Sequence, residues 1–201
     1  MTATSDHDQL YSKHAPRWHQ RLGRLGYTRA YDHLMAQLPP LPDQARVLDI
    51  GTGSGAFAAS FAKQAPANCQ LTLADPNPEM RREAAAQSQD WPQTVQITDA
   101  KLGDPLGQYD ILLCAHVLEH LEIPPALTWL HQSLTPGGTL VLALSRPHWC
   151  TALIRWRWGH RAYRPDQARD HLAAAGFRDI QLIPFPSGPP YRTSHGYIAR
   201  R

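Results

Sequence analysis

The sequence predicts an α/β chain: a doubly wound, mostly parallel seven-stranded sheet with an antiparallel C-terminal edge strand and an N-terminal helical cap. Three observations carry this. From residue 45 onward, short apolar runs alternate with stretches of helical periodicity. The first run, VLDIGTGSGAF at 47–57, passes directly into three closely spaced glycines. After residue 176, two more apolar stretches flank a Pro/Gly-rich loop. Alternation of this kind gives a parallel sheet with helices on both faces, because parallel strands need crossover connections.

Residues 1–40 precede the first strand and read as the helical cap, or lid. Tyr27, Tyr31, Leu34, Met35 and Leu38 form one apolar stripe, ended by Pro39 and Pro40. An earlier stripe of Tyr11, Ala15, Trp18 and Leu22 is broken in two by Pro16. The core is expected over 41–201. Its strands are RVLDI (46–50), QLTLAD (70–75), TVQITD (94–99), YDILLCA (109–115) and TLVLAL (139–144). Asn77 is placed to cap a helix that starts at Pro78, and Glu79 complements the dipole. Leu127, Leu130 and Leu134 follow a Pro124-Pro125 start, and TPGG stops that helix. Pro165 opens another, with Ala168, Leu172 and Ala175 on one face and Gly176 as its stop. The tail, 177–201, reads as two strands joined by a loop, a hairpin that adds antiparallel strands.

Composition narrows the class. With 42% apolar and 18% charged residues the chain is an ordinary globular protein rather than a disordered one. A formal charge of +3 tolerates anionic partners without demanding nucleic acid. Cys69, Cys114 and Cys150 are odd in number and far apart, which argues against a disulfide framework and for a reducing compartment. The polar start MTATSDHDQL is unlike a signal peptide, and no run approaches a membrane span. The expected location is the cytoplasm.

The glycine loop fits two cofactors. Gly51, Gly53 and Ala56 match the dinucleotide fingerprint G-x-G-x-x-G/A, which is the NAD-dependent reductase reading. Asp49, Gly51, Gly53 and Gly55 match D-x-G-x-G-x-G, which suits S-adenosylmethionine. Asp49 discriminates: an ammonium and a sulfonium give a carboxylate there a partner, whereas a pyrophosphate is repelled. Asp75, at the end of the second strand, is placed to accept hydrogen bonds from a ribose diol in either case. Asp99, in TDA (98–100), can accept an adenine amino group, which NAD does not require.

With LTPGGTLVL (134–142) and YRPDQARDHLAAAGFRDIQL (163–182) added, the sequence resembles the Rossmann-like class I S-adenosylmethionine-dependent methyltransferases over residues 45–183. The resemblance implies S-adenosyl-L-methionine as cofactor and S-adenosyl-L-homocysteine as product. It assigns the cofactor to Asp49, Gly51, Thr52, Gly53, Gly55, Asp75, Pro76, Met80, Asp99, Ala100, Ala115 and His116. In that family the acid matching Asp75 holds ribose and the one matching Asp99 contacts adenine. A non-catalytic cofactor-binding protein on the same fold is the alternative.

AHVLEHL (115–121) follows the fourth strand, where the family faces the transferred methyl. His116 is the candidate general base, needed if the acceptor must lose a proton; the other reading has it only packing beside the cofactor. Glu119 is expected to be structural. His116, Glu119 and His120 spell H-x-x-E-H, a zinc-peptidase pattern. A peptidase needs both histidines on one helix, so no metal is assigned, and a divalent ion at the acceptor is the weaker variant. Segment 146–164 reads as a substrate-recognition insertion, with Trp149, Trp156, Trp158 and Tyr163 among Arg155, Arg157, Arg161 and Arg164. It suits nucleic acid, an anionic membrane surface, an acceptor pocket, or packing on the core alone. Base-amine methyltransferases carry an Asp/Asn-Pro-Pro-aromatic motif after the fourth strand, and AHVLEH stands there instead. The VLEHL loop is similar to small-molecule and quinone methyltransferases, so the expected acceptor is a small molecule rather than RNA. Whether O, N or C is methylated stays open. Tyr11, Trp18, His120, His148 and Trp149 are expected around the acceptor, with Tyr11 and His148 as further catalytic candidates.

Overall fold

A computed structural model describes residues 22–148 and 161–201. Seven strands form one sheet: β1 (Arg46–Ile50), β2 (Gln70–Ala74), β3 (Thr94–Thr98), β4 (Tyr109–Ala115), β5 (Leu134–Ser145), β6 (Arg178–Pro184) and β7 (Ser194–Arg200). Helices described beside it are α1 (Tyr27–Met35), α2 (Ala56–Ala62), α3 (Pro78–Ser88), α4 (Ile123–Gln132), α5 (Pro165–Ala174) and α6 (Pro189–Thr193). The spatial order is β3-β2-β1-β4-β5-β7-β6. β1 to β5 run parallel, and β7 is antiparallel to both neighbours.

The inner strands are apolar on both sides because both faces are covered. Leu48, Ile50, Leu112, Leu140 and Leu142 pack with Leu127 and Leu130 of α4 and Leu172 of α5. Val47, Leu113, Val141 and Ile198 pack on the other face with Tyr31 and Leu34 of α1 and Phe57 and Phe61 of α2. The described part of the expected cap, α1, therefore buries Ala30, Tyr31, Leu34 and Met35 directly in this second cluster. Among the described residues no helix is long and apolar enough to cross a membrane.

Two details differ from the sequence reading. The stripe Leu127, Leu130, Leu134 is divided: α4 ends at Gln132, and Leu134 begins β5. TPGG then lies inside β5 as an irregularity, since Tyr109 pairs with Leu134 but Ile111 pairs with Thr139. Gly137 at φ 79 supplies the backbone freedom for that extra length. The antiparallel C-terminal strand is present, but it sits one place in from the edge, between β5 and β6. Burial accounts for the order. Ser194 to Ala199 are all buried, whereas β6 is half exposed and takes the edge.

Candidate functional site

Strand register places the site. Ile50 pairs with Ala74 and Ala74 with Thr98, so Gly51, Asp75 and Asp99 follow one step beyond a common level. This is the C-terminal end of the parallel strands, where open α/β sheets bind ligands. Alternation along β1 turns Leu48 and Ile50 to one face and Asp49 to the other. Asp49 is 1% exposed. Its Oδ2 accepts a 2.6 Å hydrogen bond from the Thr52 hydroxyl, and its Oδ1 has no partner among the described residues. Burial, with a smaller push from Asp75, raises its carboxyl to about 7 against the pull of the Thr52 hydroxyl and the weaker pull of the Ala58 amide.

The chain leaves β1 through Gly51, Gly53 and Gly55, at φ 68, 54 and 78. A Cβ on Gly51 would lie 2.4 Å from Val117 Cγ2, so close packing requires glycine there. Among the described residues a Cβ on Gly53 would meet nothing within 4 Å, so they leave that backbone open. Asp75 anchors the loop. Its Oδ2 accepts from Gly53 N–H and its Oδ1 from Asn77 N–H, both at 2.9 Å. Asn77 Oδ1 in turn accepts from the Glu79 and Met80 amides and caps α3. Arg81 donates to the Asp75 and Pro76 carbonyls at 2.8 Å. Met80 and Ala100 are buried and Asp99 is exposed.

Beyond Ala115, which closes β4, His116 adopts φ 57 while its amide bonds Ala143 O at 2.9 Å. Its Nδ1 lies 3.0 Å from Glu119 Oε1 and 3.2 Å from Ser145 Oγ. Its ring stands edge-on to Tyr27, with centroids 5.6 Å apart. The Tyr27 hydroxyl reaches Thr193 Oγ1 at 3.1 Å and Ser194 Oγ at 3.3 Å. Glu119, in a 3-10 turn over Leu118–His120, is fully buried. Its Oε1 also accepts Ser145 N–H at 2.7 Å. Burial pushes this carboxyl up, but the His116 hydrogen bond and charge and the Ser145 amide outweigh it and hold it at about 2.

The structure thus gathers Asp49, Gly51, Thr52, Gly53, Gly55, Asp75 and Pro76 around one loop, with His116 joined to it through Val117. His120 is exposed at the end of its turn, and His148 is half-buried after β5. Tyr11, Trp18 and Trp149 lie outside the described residues. Tyr27 and Ser145 were not singled out from sequence; Tyr27 reads there as one member of an apolar stripe, and nothing local marks Ser145. Cavities of about 280 Å³ beside Trp91 and about 230 Å³ beside Pro136 border neither Asp49, Asp75 nor His116. Strand ends and half-satisfied polar groups locate the site better than those hollows do.

A family model described as a methyltransferase domain matches residues 17–182. The ubiquinone biosynthesis O-methyltransferase of Xanthomonas axonopodis pv. citri is 32% identical over 117 residues, 56% of this chain and 47% of that protein. The chain spans about half the length of the curated relatives it matches. Among solved structures, an O-methyltransferase family 2 protein from Planctomyces limnophilus in complex with apigenin aligns with TM-score 0.74 at 18% identity, over 93% of this chain and 61% of that one. Magnesium protoporphyrin IX methyltransferase from Synechocystis PCC 6803 with bound SAH gives 0.70 at 20% identity, over 89% and 84%. At such identity the likeness speaks for the fold.

Proposed function

Because the chain belongs to the methyltransferase-domain family, we propose that it transfers a methyl group from S-adenosylmethionine to a small-molecule acceptor and releases S-adenosylhomocysteine. The half-satisfied carboxylate of Asp49 carries this reading. A buried, ionisable carboxylate whose Oδ1 has no close hydrogen bond among the described residues, beside an open glycine backbone, fits a ligand that brings a cationic donor. A pyrophosphate at the same place would meet that carboxylate as a like charge.

Bound there, S-adenosylmethionine supplies a methyl group on a good leaving group, so alignment and exclusion of water matter more than covalent help. Asp49 takes the ammonium. Asp75, held by the Gly53 and Asn77 amides at the end of β2, takes the ribose hydroxyls. Thr52, Pro76, Met80, Asp99, Ala100 and Ala115 complete the cofactor's surroundings. His116 is the proposed general base, with His120 and His148 on the acceptor side. The similarity to relatives named for ubiquinone biosynthesis favours a small aromatic acceptor over RNA. Titration calorimetry with S-adenosylhomocysteine and with NAD tests the reading. Binding of the first alone is expected; binding of NAD alone refutes it.

A further inference from the structure

Two buried polar atoms three residues apart lack hydrogen-bond partners among the described residues: His116 Nε2 and Glu119 Oε2. They belong to one linked pair, joined at 3.0 Å through His116 Nδ1 and Glu119 Oε1. An ionised carboxylate can only accept, so the nitrogen facing it must carry the proton. Neutral imidazole has one N–H, which leaves Nε2 with a bare lone pair. The Ser145 amide accounts for a carboxylate at 119 but not for an imidazole aimed at it with Nε2 left over. The ring is also held on a backbone at φ 57, a region uncommon for residues other than glycine.

We propose that Glu119 is a positioning residue that locks His116 as the Nδ1–H form, leaving Nε2 to accept a proton from a hydroxyl-bearing methyl acceptor. This rests on the methyltransferase reading above. The acceptor's O–H proton passes to His116 Nε2. The acceptor oxygen forms the new bond to the methyl carbon while the carbon–sulfur bond breaks, and that electron pair stays on sulfur as a neutral thioether. The imidazolium produced faces the Glu119 carboxylate across Nδ1–H, then releases its extra proton to water. A neutral amine would attack with its own lone pair and shed its proton afterwards, leaving such a base idle. The hydroxyl is the acceptor that this geometry serves. The Ser145 amide donates to the same Oε1 and full burial holds the carboxylate in place, so Glu119 acts through His116.

Long-range proton–nitrogen NMR on the free protein, with His116 assigned by His116→Phe, reads the tautomer directly. Neutral His116 is expected as Nδ1–H. Glu119→Gln, which keeps a carbonyl oxygen for that proton, should retain it, and Glu119→Leu should lose it. An Nε2–H tautomer in the wild type, or Nδ1–H surviving in Glu119→Leu, overturns the proposal. A second arm is independent of that variant's folding. The Glu119 carboxyl, followed by carbon NMR, should titrate far below the ordinary carboxylate range in the wild type and move upward in His116→Phe. An unmoved titration also overturns it. Calorimetry with S-adenosylhomocysteine on the same wild-type sample separates the two levels: lost binding sinks the methyltransferase reading, while the tautomer still decides the role of Glu119.

Discussion

Asp49 couples the stability of the empty protein to its proposed ligand, and Asp49→Asn exposes that coupling. A carboxyl raised from 3.8 to about 7 binds its proton more tightly in the folded state than in the unfolded chain. Its contribution is therefore complete below pH 4 and is lost as pH climbs through about 7. The rise from 3.8 to about 7 corresponds to about 4 kcal/mol. In a chain of this length that is a fall in Tm of roughly 8–16 °C between pH 4 and 8. His131 and His195 are lowered, mainly by burial, and push stability the other way with pH. The useful quantity is thus the difference between wild-type and Asp49→Asn melting curves at each pH. Asparagine keeps an acceptor for Thr52 and leaves its amide nitrogen unpartnered, an offset that does not depend on pH. The variant should gain on the wild type steadily from pH 4 to 8. It should also bind S-adenosylhomocysteine about 10- to 100-fold more weakly, the loss of a charged hydrogen bond of about 1.5–3 kcal/mol. Saturating S-adenosylhomocysteine should flatten the wild-type curve, because the ammonium stabilises the ionised form. Parallel curves for the two proteins across pH 4–8, or equal affinity for the ligand, would refute the reasoning.

The other expectations concern the loop and the base. Asp75→Ala removes the acceptor for the Gly53 and Asn77 amides as well as the proposed ribose contact. Calorimetry should show about 10- to 100-fold weaker S-adenosylhomocysteine binding. Gly53→Ala should cost only about 1–2 kcal/mol in urea unfolding, for its left-handed φ. It should nevertheless abolish detectable S-adenosylhomocysteine binding, since the new methyl enters the open side of the loop. Gly51→Ala should be the more destabilising of the two, because its Cβ strikes Val117, and Val117→Ala should restore part of the loss. With a hydroxyl acceptor, His116→Ala should lower single-turnover methyl transfer by about 10²-fold or more with S-adenosylhomocysteine affinity nearly intact. Equal losses of rate and affinity would mean that His116 shapes the cofactor site instead.

What the sequence determined by itself is local. The apolar runs at 111–114 and 140–144 are continuous because those strands are buried on both faces, and that pattern specifies inner strands before any partner is known. Asn77-Pro78 starts α3 and Gly176 follows α5, because capping and turn chemistry act over a few residues. The glycine spacing after Asp49 was legible for the same reason: only backbone with positive φ makes that turn.

What the tertiary structure alone decided is adjacency across the chain. Whether β7 or β6 takes the edge depends on which strand the rest of the sheet buries, a competition that no short window contains. Leu134 continues a helical stripe in sequence, yet β4 claims it through pairing with Tyr109. Asp75 emerged as the anchor of the Gly53 amide only once β1 and β2 lay in register. Glu119 was legible as a carboxylate but not as the partner of His116. Their bond is reinforced by Ser145, 26 residues along the chain, and their surroundings by Tyr27, tied to Ser194 at the far end. Electrostatics follow the same division. The sequence places acids at 49 and 119, and burial and neighbours then drive them in opposite directions, to about 7 and about 2. Desolvation and hydrogen bonding are properties of the packed surroundings, and those exist only after the chain has folded.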